Sequence, residues 1–108
     1  MYEVFFFETE RKIRPVEEFI LKQNKETGSK IAKEVRLLKT YGHYLQMPHV
    51  RQLNREIFEL RIRGKNEIRI LYVFTRNAIY LLHAFKKQTQ QTPNKEIEIA
   101  LKRSKLLT

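Results

Sequence analysis

Cysteine and aspartate are both absent from the sequence. Without cysteine the chain can form no disulfide and offers no thiolate nucleophile or ligand, and the reducing cytoplasm is its simplest location. Without aspartate a Ser/His/Asp triad is impossible. A metal site would require scattered glutamates and the three histidines, His43, His49 and His83, whose spacing is neither HxH nor HxxxH. These absences argue against disulfide, thiol, triad and metal chemistry.

Glycine is scarce, and long apolar runs are missing. The three glycines, Gly28, Gly42 and Gly64, lie in unrelated turns, so there is no glycine-rich phosphate loop. No apolar run approaches the ~18 residues of a membrane helix, and the N-terminal segment lacks a signal-peptide pattern. The sequence therefore predicts a cytoplasmic protein that uses no cofactor and makes no membrane contact.

Basic residues are abundant, and they are unevenly distributed. The chain has 108 residues, 42% of them hydrophobic, which predicts a single globular domain spanning 1–108. The net charge is +10, with 9 basic and 7 acidic residues in 1–50 but 13 basic and 5 acidic residues in 51–108. Such a surface attracts polyanions such as nucleic acid or the ribosome, although solubility or an acidic protein partner also explains it.

The first part of the chain predicts one strand and two helices. Residues 2–9 are rich in aromatic, β-favouring side chains. Pro15 suits the first turn of a helix that fades over 24–28. A second amphipathic helix is expected from Ser29 as N-cap to Gly42 as terminator.

The second part predicts a loop, three strands and a helix. Residues 43–54 show no period and are interpreted as a loop. Strands follow at 55–63, 67–74 and 78–86, joined by short turns, and the middle one is apolar on both faces. Thr92-Pro93 predicts an N-cap followed by proline at the first helical position.

Strands and helices in this order indicate an α+β fold. It consists of a strand, a helical hairpin, a three-strand antiparallel meander and a C-terminal helix. The helical hairpin is expected to cover one face of the twisted sheet.

The second half contains a candidate anion site. Arg61 and Arg63 share one face of their strand, and Arg69 follows on the neighbouring strand. Lys86 and Lys87 end the third strand. Because antiparallel neighbours lie about 5 Å apart, these side chains are expected to converge on one or two phosphates, with arginine binding phosphate oxygens bidentately.

The remaining polar strand residues have plainer interpretations. Glu56, Glu59 and Glu67 are expected to be exposed and salt-bridged to arginines rather than to act as an acid–base pair. His83 lies among apolar residues, where a partly buried structural histidine is the default and a catalytic role is the alternative.

The ordered motifs of residues 57–103 resemble a known family. "ELRIRGKNEIRILYVF" is followed by "IYLLHAFKKQTQQTPNKEIEIALKR". This order of an ELR strand, an RILY strand, an LLHAFKK strand end and a T-P step into a helix is similar to the RelE/ParE toxin superfamily. Within it, the HigB-like, phage-derived Gp49-like branch is the nearest pattern.

The resemblance implies the toxin of a type II toxin–antitoxin system. Such toxins enter the ribosomal A site and cut mRNA by attack of a ribose 2′-OH on the adjacent phosphate, without metal. The implied partners are mRNA, the ribosome and a helix-turn-helix antitoxin, which could form a hetero-oligomer with the toxin.

The resemblance also suggests residue roles. Arg61 and Arg69 are expected to stabilise charge on the phosphate, Lys87 to contact the substrate or leaving oxygen, and His83 to carry a proton. The expected RNA-binding residues are Arg63, Lys86, Gln88 and Thr89.

Three other functions fit the same residues. A ParE-like member would poison DNA gyrase, and a non-catalytic basic module would bind nucleic acid through phosphate contacts alone. A degenerate toxin is the third, because Gln88 and Gln91 stand where the branch tends to have basic residues.

Overall fold

A computed structural model of the protein describes residues 1–107. The fold is α+β, as predicted, with one five-stranded mixed sheet in the order β1-β5-β4-β3-β2. The elements are β1 (Glu3–Phe6), α1 (Pro15–Leu21), α2 (Lys25–Tyr41), β2 (Val50–Gln52), β3 (Ile57–Ile62), β4 (Ile68–Phe74), β5 (Ala78–Lys86) and α3 (Asn94–Lys105).

Helices cover both faces of the sheet. The α1–α2 hairpin packs Val16, Ile31 and Leu38 into one hydrophobic core against β3, β4 and β5, which confirms its predicted position. On the opposite face, α3 packs Ala100 into a second core with Leu71 and other strand residues. A central strand that is covered on both faces has a nearly continuous apolar sequence, and β4 has such a sequence.

The predicted meander is confirmed. Strands β3, β4 and β5 pair antiparallel, while β1 pairs parallel to β5 along 78–81 only. Strand β1 is therefore shorter than the predicted 2–9, because its pairing spans four residues. A register shift between Leu71 and Tyr72 places His83 opposite Leu71, on the face covered by α3.

The start of α2 differs from the prediction. The helix begins at Lys25, and Asn24 is its N-cap, accepting a hydrogen bond from the Thr27 amide at 2.8 Å. Ser29, the predicted cap, lies inside the helix, because a single glycine at position 28 costs a helix only about 1 kcal/mol relative to alanine. The helix ends before Gly42, as predicted, and Gly42 has a φ of 49°.

Two other boundaries need correction. The predicted loop 43–54 overlaps a 3₁₀ turn at Gly42–Tyr44 and contains the short edge strand β2, which pairs with β3. A three-residue strand is too short to show an alternating pattern in sequence. Thr92 does not cap α3, which has Pro93 at the N-cap, because its hydroxyl donates to Glu59 instead.

The hydroxyl of Tyr72 is buried in the core without a hydrogen-bond partner among the described residues. Burial raises the pKa of this phenol. Because a buried, unpaired hydroxyl opposes folding, Tyr72→Phe is expected to raise the free energy of unfolding by about 1 kcal/mol. Urea unfolding measures this, with Tyr80→Phe on the partly exposed neighbour as control, expected within about 0.5 kcal/mol of wild type. Destabilisation by Tyr72→Phe would contradict the conclusion that the buried Tyr72 hydroxyl opposes folding.

Candidate active site

The predicted basic residues meet at the end of the sheet where β3 ends and β4 begins. Arg61 lies opposite Arg69, and Arg69 lies opposite Phe85. The amide of Lys87 donates to the carbonyl of Glu67 at 2.8 Å, so the pairing continues one step beyond β5. Alternation along the strands therefore places Arg61, Arg69 and Lys87 on the same face, the one that α3 covers farther along the sheet.

Arg69 is enclosed rather than presented to solvent. It is 2% exposed, and so is Glu59, which the sequence predicted to be an exposed carboxylate. The guanidinium of Arg69 lies 3.6 Å from Glu59 through Nε and 3.1 Å from Glu67 through Nη2. Its burial separates the guanidinium from the protein surface, and its predicted role at the phosphate stays a prediction.

Glu67 and Lys87 form the outer end of this buried network. Lys87 Nζ lies 3.6 Å from the Glu67 carboxylate that Arg69 also contacts. Burial opposes ionisation of Glu67, but the charges of Arg69 and Lys87 outweigh it and lower the pKa of this carboxyl. Glu67 is therefore an anion that pairs with Lys87, in agreement with the predicted salt-bridged role.

The Arg61 side chain points to the α3 face beside Arg69 and Glu59, but the residue lies at the sheet edge beyond the end of β2. There it also lines a basic cleft of about 240 Å³ between β3, α2 and the turn before β2. Its Nε is buried and has no hydrogen-bond partner among the described residues. Burial and the neighbouring Arg69 lower the pKa of Arg61, with Glu59 opposing. The guanidinium remains a cation at neutral pH, because arginine titrates far above it. The charged residues lining the cleft are Lys30, Lys33, Glu34, His49, Arg61 and Arg63.

The cleft also contains a carboxylate–histidine pair that sequence reasoning missed. His49 Nδ1 lies 2.9 Å from Glu34 Oε1, and the two side chains are 40% and 14% exposed. The residues are 15 positions apart, on α2 and on the turn before β2. Residues 43–54 show no period in sequence, so only the folded chain brings His49 beside Arg61.

His83 lies elsewhere. Its Nε2 is 2.6 Å from Glu96 on α3, and both side chains are about 15% exposed. It lines a different cleft with Arg103, whose Nη1 donates to the carbonyl of Leu82 at 2.7 Å. The fold therefore ties His83 to α3 and does not bring it into the cleft of Arg61.

The charge state of His83 gives a pH-dependent prediction. Burial lowers the pKa of His83 and outweighs the raising effect of Glu96. Because the unfolded chain has a histidine pKa of about 6.5, it binds more protons than the folded protein just below that pH. The free energy of unfolding is therefore expected to fall as the pH drops through this window.

Urea unfolding of wild type and His83→Gln across this window measures the contribution. The variant is expected to lose stability less steeply as the pH falls, and His43→Gln, at an exposed histidine, should follow the wild-type slope. A steeper loss of stability with falling pH in His83→Gln would contradict the lowered pKa of His83.

The predicted RNA-binding residues have different positions. Arg63 is exposed beside the basic cleft. Lys86 lies opposite Ile68, whose side chain belongs to the core under the helical hairpin, so Lys86 and Lys87 point to opposite faces. Gln88 and Thr89 are exposed in the loop after β5, where the Thr89 hydroxyl donates to the Gln91 carbonyl at 2.6 Å.

Residues 1–107 contain no group of three metal-binding side chains placed around a common point. Among the helices described, none is long and apolar enough to span a bilayer.

Comparison with known proteins places the chain in a family. No curated protein matches the sequence. The sequence model of one family, described as "Phage derived protein Gp49-like (DUF891)", matches residues 18–105. That range begins within α1 and includes α2, the meander, the basic cleft and α3. The chain therefore belongs to this toxin-like, phage-derived Gp49-like family, which is grouped with the RelE/ParE-like toxin superfamily.

Proposed function

We propose that this protein is the toxin of a type II toxin–antitoxin pair, close to the HigB-like toxins, and that it cuts mRNA in the ribosomal A site. The observation that carries the proposal is the cationic cleft around Arg61, at the sheet end predicted to bind phosphate. Four basic side chains line that cleft, and its one carboxylate is engaged by His49. Membership of a toxin-like family supports the same function.

The proposed reaction is attack of a ribose 2′-OH on the adjacent phosphate. The products are a 2′,3′-cyclic phosphate and a 5′-hydroxyl end. Negative charge accumulates on the phosphate oxygens in the transition state, and fixed cations there stabilise it. In this proposal Arg61 faces this charge with a guanidinium fork, and Lys87, on the same face of the sheet, serves the leaving oxygen.

The other predicted residues have supporting roles in the proposal. Arg69 holds Glu67, and Glu67 holds Lys87 in position. Arg63, Lys86, Gln88 and Thr89 contact the RNA on either side of the cut. In this proposal His83 fixes α3 to the sheet through Glu96 rather than carrying the proton.

The proposed partners are the ribosome, mRNA and a helix-turn-helix antitoxin in the cytoplasm. The net charge of +10 favours encounter with ribosomal RNA and with an acidic antitoxin surface.

The chemical groups at the ends of the RNA fragments test the proposed function. Purified protein is added to ribosomes programmed with a defined mRNA, and the fragments are labelled at their 5′ ends with a polynucleotide kinase. We expect one cut in the A-site codon, with 5′ fragments ending in a cyclic phosphate and 3′ fragments labelled without prior phosphatase treatment. A 2′-deoxyribose at the cut nucleotide should abolish cleavage. Intact mRNA together with inhibited DNA gyrase would replace the proposal with gyrase poisoning.

A further inference from the structure

We infer that His49, held by Glu34, is the group that takes the proton from the attacking 2′-OH in the basic cleft. This inference rests on the proposed function and assigns the proton acceptor within that site. The structure places this histidine, and neither of the other two, beside Arg61.

The Glu34–His49 pair has the geometry of an oriented base. Glu34 is largely buried and contacts Nδ1 at 2.9 Å, which fixes the ring. Because a carboxylate only accepts hydrogen bonds, this contact assigns the hydrogen of the neutral ring to Nδ1. Nε2 then carries a free lone pair, and it has no hydrogen-bond partner among the described residues. A histidine oriented by a carboxylate through one nitrogen, with the other open to the reactant, is a recurrent arrangement for proton transfer.

The backbone fixes His49 next to the proposed phosphate site. The carbonyl of His49 accepts a hydrogen bond from the Arg61 amide at 2.8 Å. Both residues line the same cleft of about 240 Å³. In this inference a phosphate bound by Arg61 at this edge presents its ribose to His49, and proximity of this kind is a large part of catalysis by positioning.

The electrostatics of the cleft favour an RNA strand. Lys30, Lys33, Arg61 and Arg63 line it, and Glu34, the one carboxylate among the described residues that line it, is already engaged by His49. The Lys30 side chain extends to the turn after β3. Its Nζ lies so close to Gly64 that a Cβ added there would be only 2.8 Å away. The cations are thus grouped around one opening, which suits a phosphodiester rather than a neutral ligand.

The other two histidines are unsuited to this role. The Nε2 of His83 is 2.6 Å from Glu96, and its side chain is only 15% exposed. The ring of His43 is stacked on Phe74 with 3.6 Å between ring centroids, outside the set of residues that line the cleft.

Nε2 of His49 takes the 2′-hydroxyl proton while the oxygen forms a bond to phosphorus. The bond from phosphorus to the 5′ oxygen breaks, and that oxygen leaves with a proton from Lys87 or water. No electron acceptor, metal or further reactant is needed. The products are the 2′,3′-cyclic phosphate and the 5′-hydroxyl of the proposed function.

Two substrates distinguish loss of the group that accepts the proton from loss of the group that donates one. Wild type, His49→Gln and Lys87→Gln are assayed on ribosome-bound mRNA with a normal 5′ oxygen or a bridging 5′ sulfur at the cut site. Sulfur leaves without a proton. We expect His49→Gln to lower kcat by at least ~100-fold on both substrates with little change in KM, and Lys87→Gln to recover on the sulfur substrate.

Matched variants complete the experiment. His43→Gln makes the same change at an exposed histidine and should retain wild-type kcat. Glu34→Ala should lower kcat at constant KM, while Glu34→Gln, which keeps an oxygen acceptor for Nδ1–H, should restore part of it. Circular dichroism and urea unfolding confirm that each variant is folded.

The outcomes distinguish the inference from the proposed function. A wild type that leaves mRNA uncut would overturn both. Cleavage by wild type together with unchanged kcat in His49→Gln would overturn the inference alone. Recovery of His49→Gln on the sulfur substrate would also overturn it, because the residue would then protonate the leaving group.

Discussion

Replacing Arg61 by alanine is expected to lower the rate of mRNA cleavage by about 100- to 1,000-fold, the usual effect of removing one fixed donor to transition-state charge. Arg61 lies in the basic cleft with an unpaired Nε, and its nearest side-chain partner is the sulfur of Met47 at 3.7 Å. Among the described residues it forms no ion pair within 4.0 Å. Its charge is therefore available to a substrate.

The stability of Arg61→Ala should change little for the same reason. Single-turnover cleavage on programmed ribosomes measures the rate, and urea unfolding measures the stability. Arg61→Lys keeps the charge but loses the planar fork, so an intermediate rate is expected.

Arg76→Ala is the matched control for Arg61→Ala. It removes the same charge from an exposed turn at the opposite end of the sheet, between β4 and β5, and should cleave like wild type. Equal rate losses in the two variants would mean that net charge alone matters. A wild-type cleavage rate in Arg61→Ala would mean that the basic cleft takes no part in the mechanism.

Replacing Arg69 by methionine is expected to lower the free energy of unfolding by about 3–5 kcal/mol. Arg69 and Glu59 are each only 2% exposed, so the substitution leaves a buried carboxylate without its cation. A desolvated, unpaired charge is among the most destabilising changes that a single substitution can make. The hydroxyl of Thr92 still donates to Glu59 but cannot neutralise it. Equilibrium unfolding in urea measures the loss.

A double variant tests whether the loss comes from the orphaned charge. Glu59→Gln combined with Arg69→Met removes both charges, and most of the stability should return because the two residues interact directly. Lys65→Met is the control for loss of an exposed cation and should stay within about 0.5 kcal/mol of wild type. Equal losses in the single and double variants would contradict the account.

This buried network also bears on function. It runs from Thr92 before α3 through Glu59 and Arg69 to Glu67, and ends at Lys87 on the surface. Each link limits the positions of the next side chain. Lys87 is therefore held by a chain of contacts that reaches into the sheet, as the proposed role at the leaving oxygen requires.

The sequence predicted the sheet well where hydrophobic patterning was strong. Strand β5 has the predicted bounds 78–86, and β4 and β3 lie within their predicted ranges. The apolar run of β4 predicted a central strand, and helices cover it on both faces. The stripe of α3 packs as expected, with Ala100 fully buried.

The candidate site was predicted only in part, because tertiary contacts decide burial. Alternation along β3 placed Glu59 and Arg61 on the same face, but it could not show that α3 and Thr92 enclose Glu59 while Arg61 remains at an opening. The Glu34–His49 pair joins two elements with no shared sequence pattern. His83 lies in the most family-like motif, yet the fold turns it toward Glu96.

The central claim is that a ribosome-dependent nuclease acts through the basic cleft. Primer extension on a reporter mRNA, after brief induction of wild type, Arg61→Ala or Lys87→Ala in cells, tests it most directly. The account predicts cuts in frame with translation for wild type, loss of those cuts when the start codon is removed, and their absence in both variants. Cuts that persist in both variants would contradict the residue assignment. Intact mRNA under wild-type induction, with translation continuing, would contradict the function.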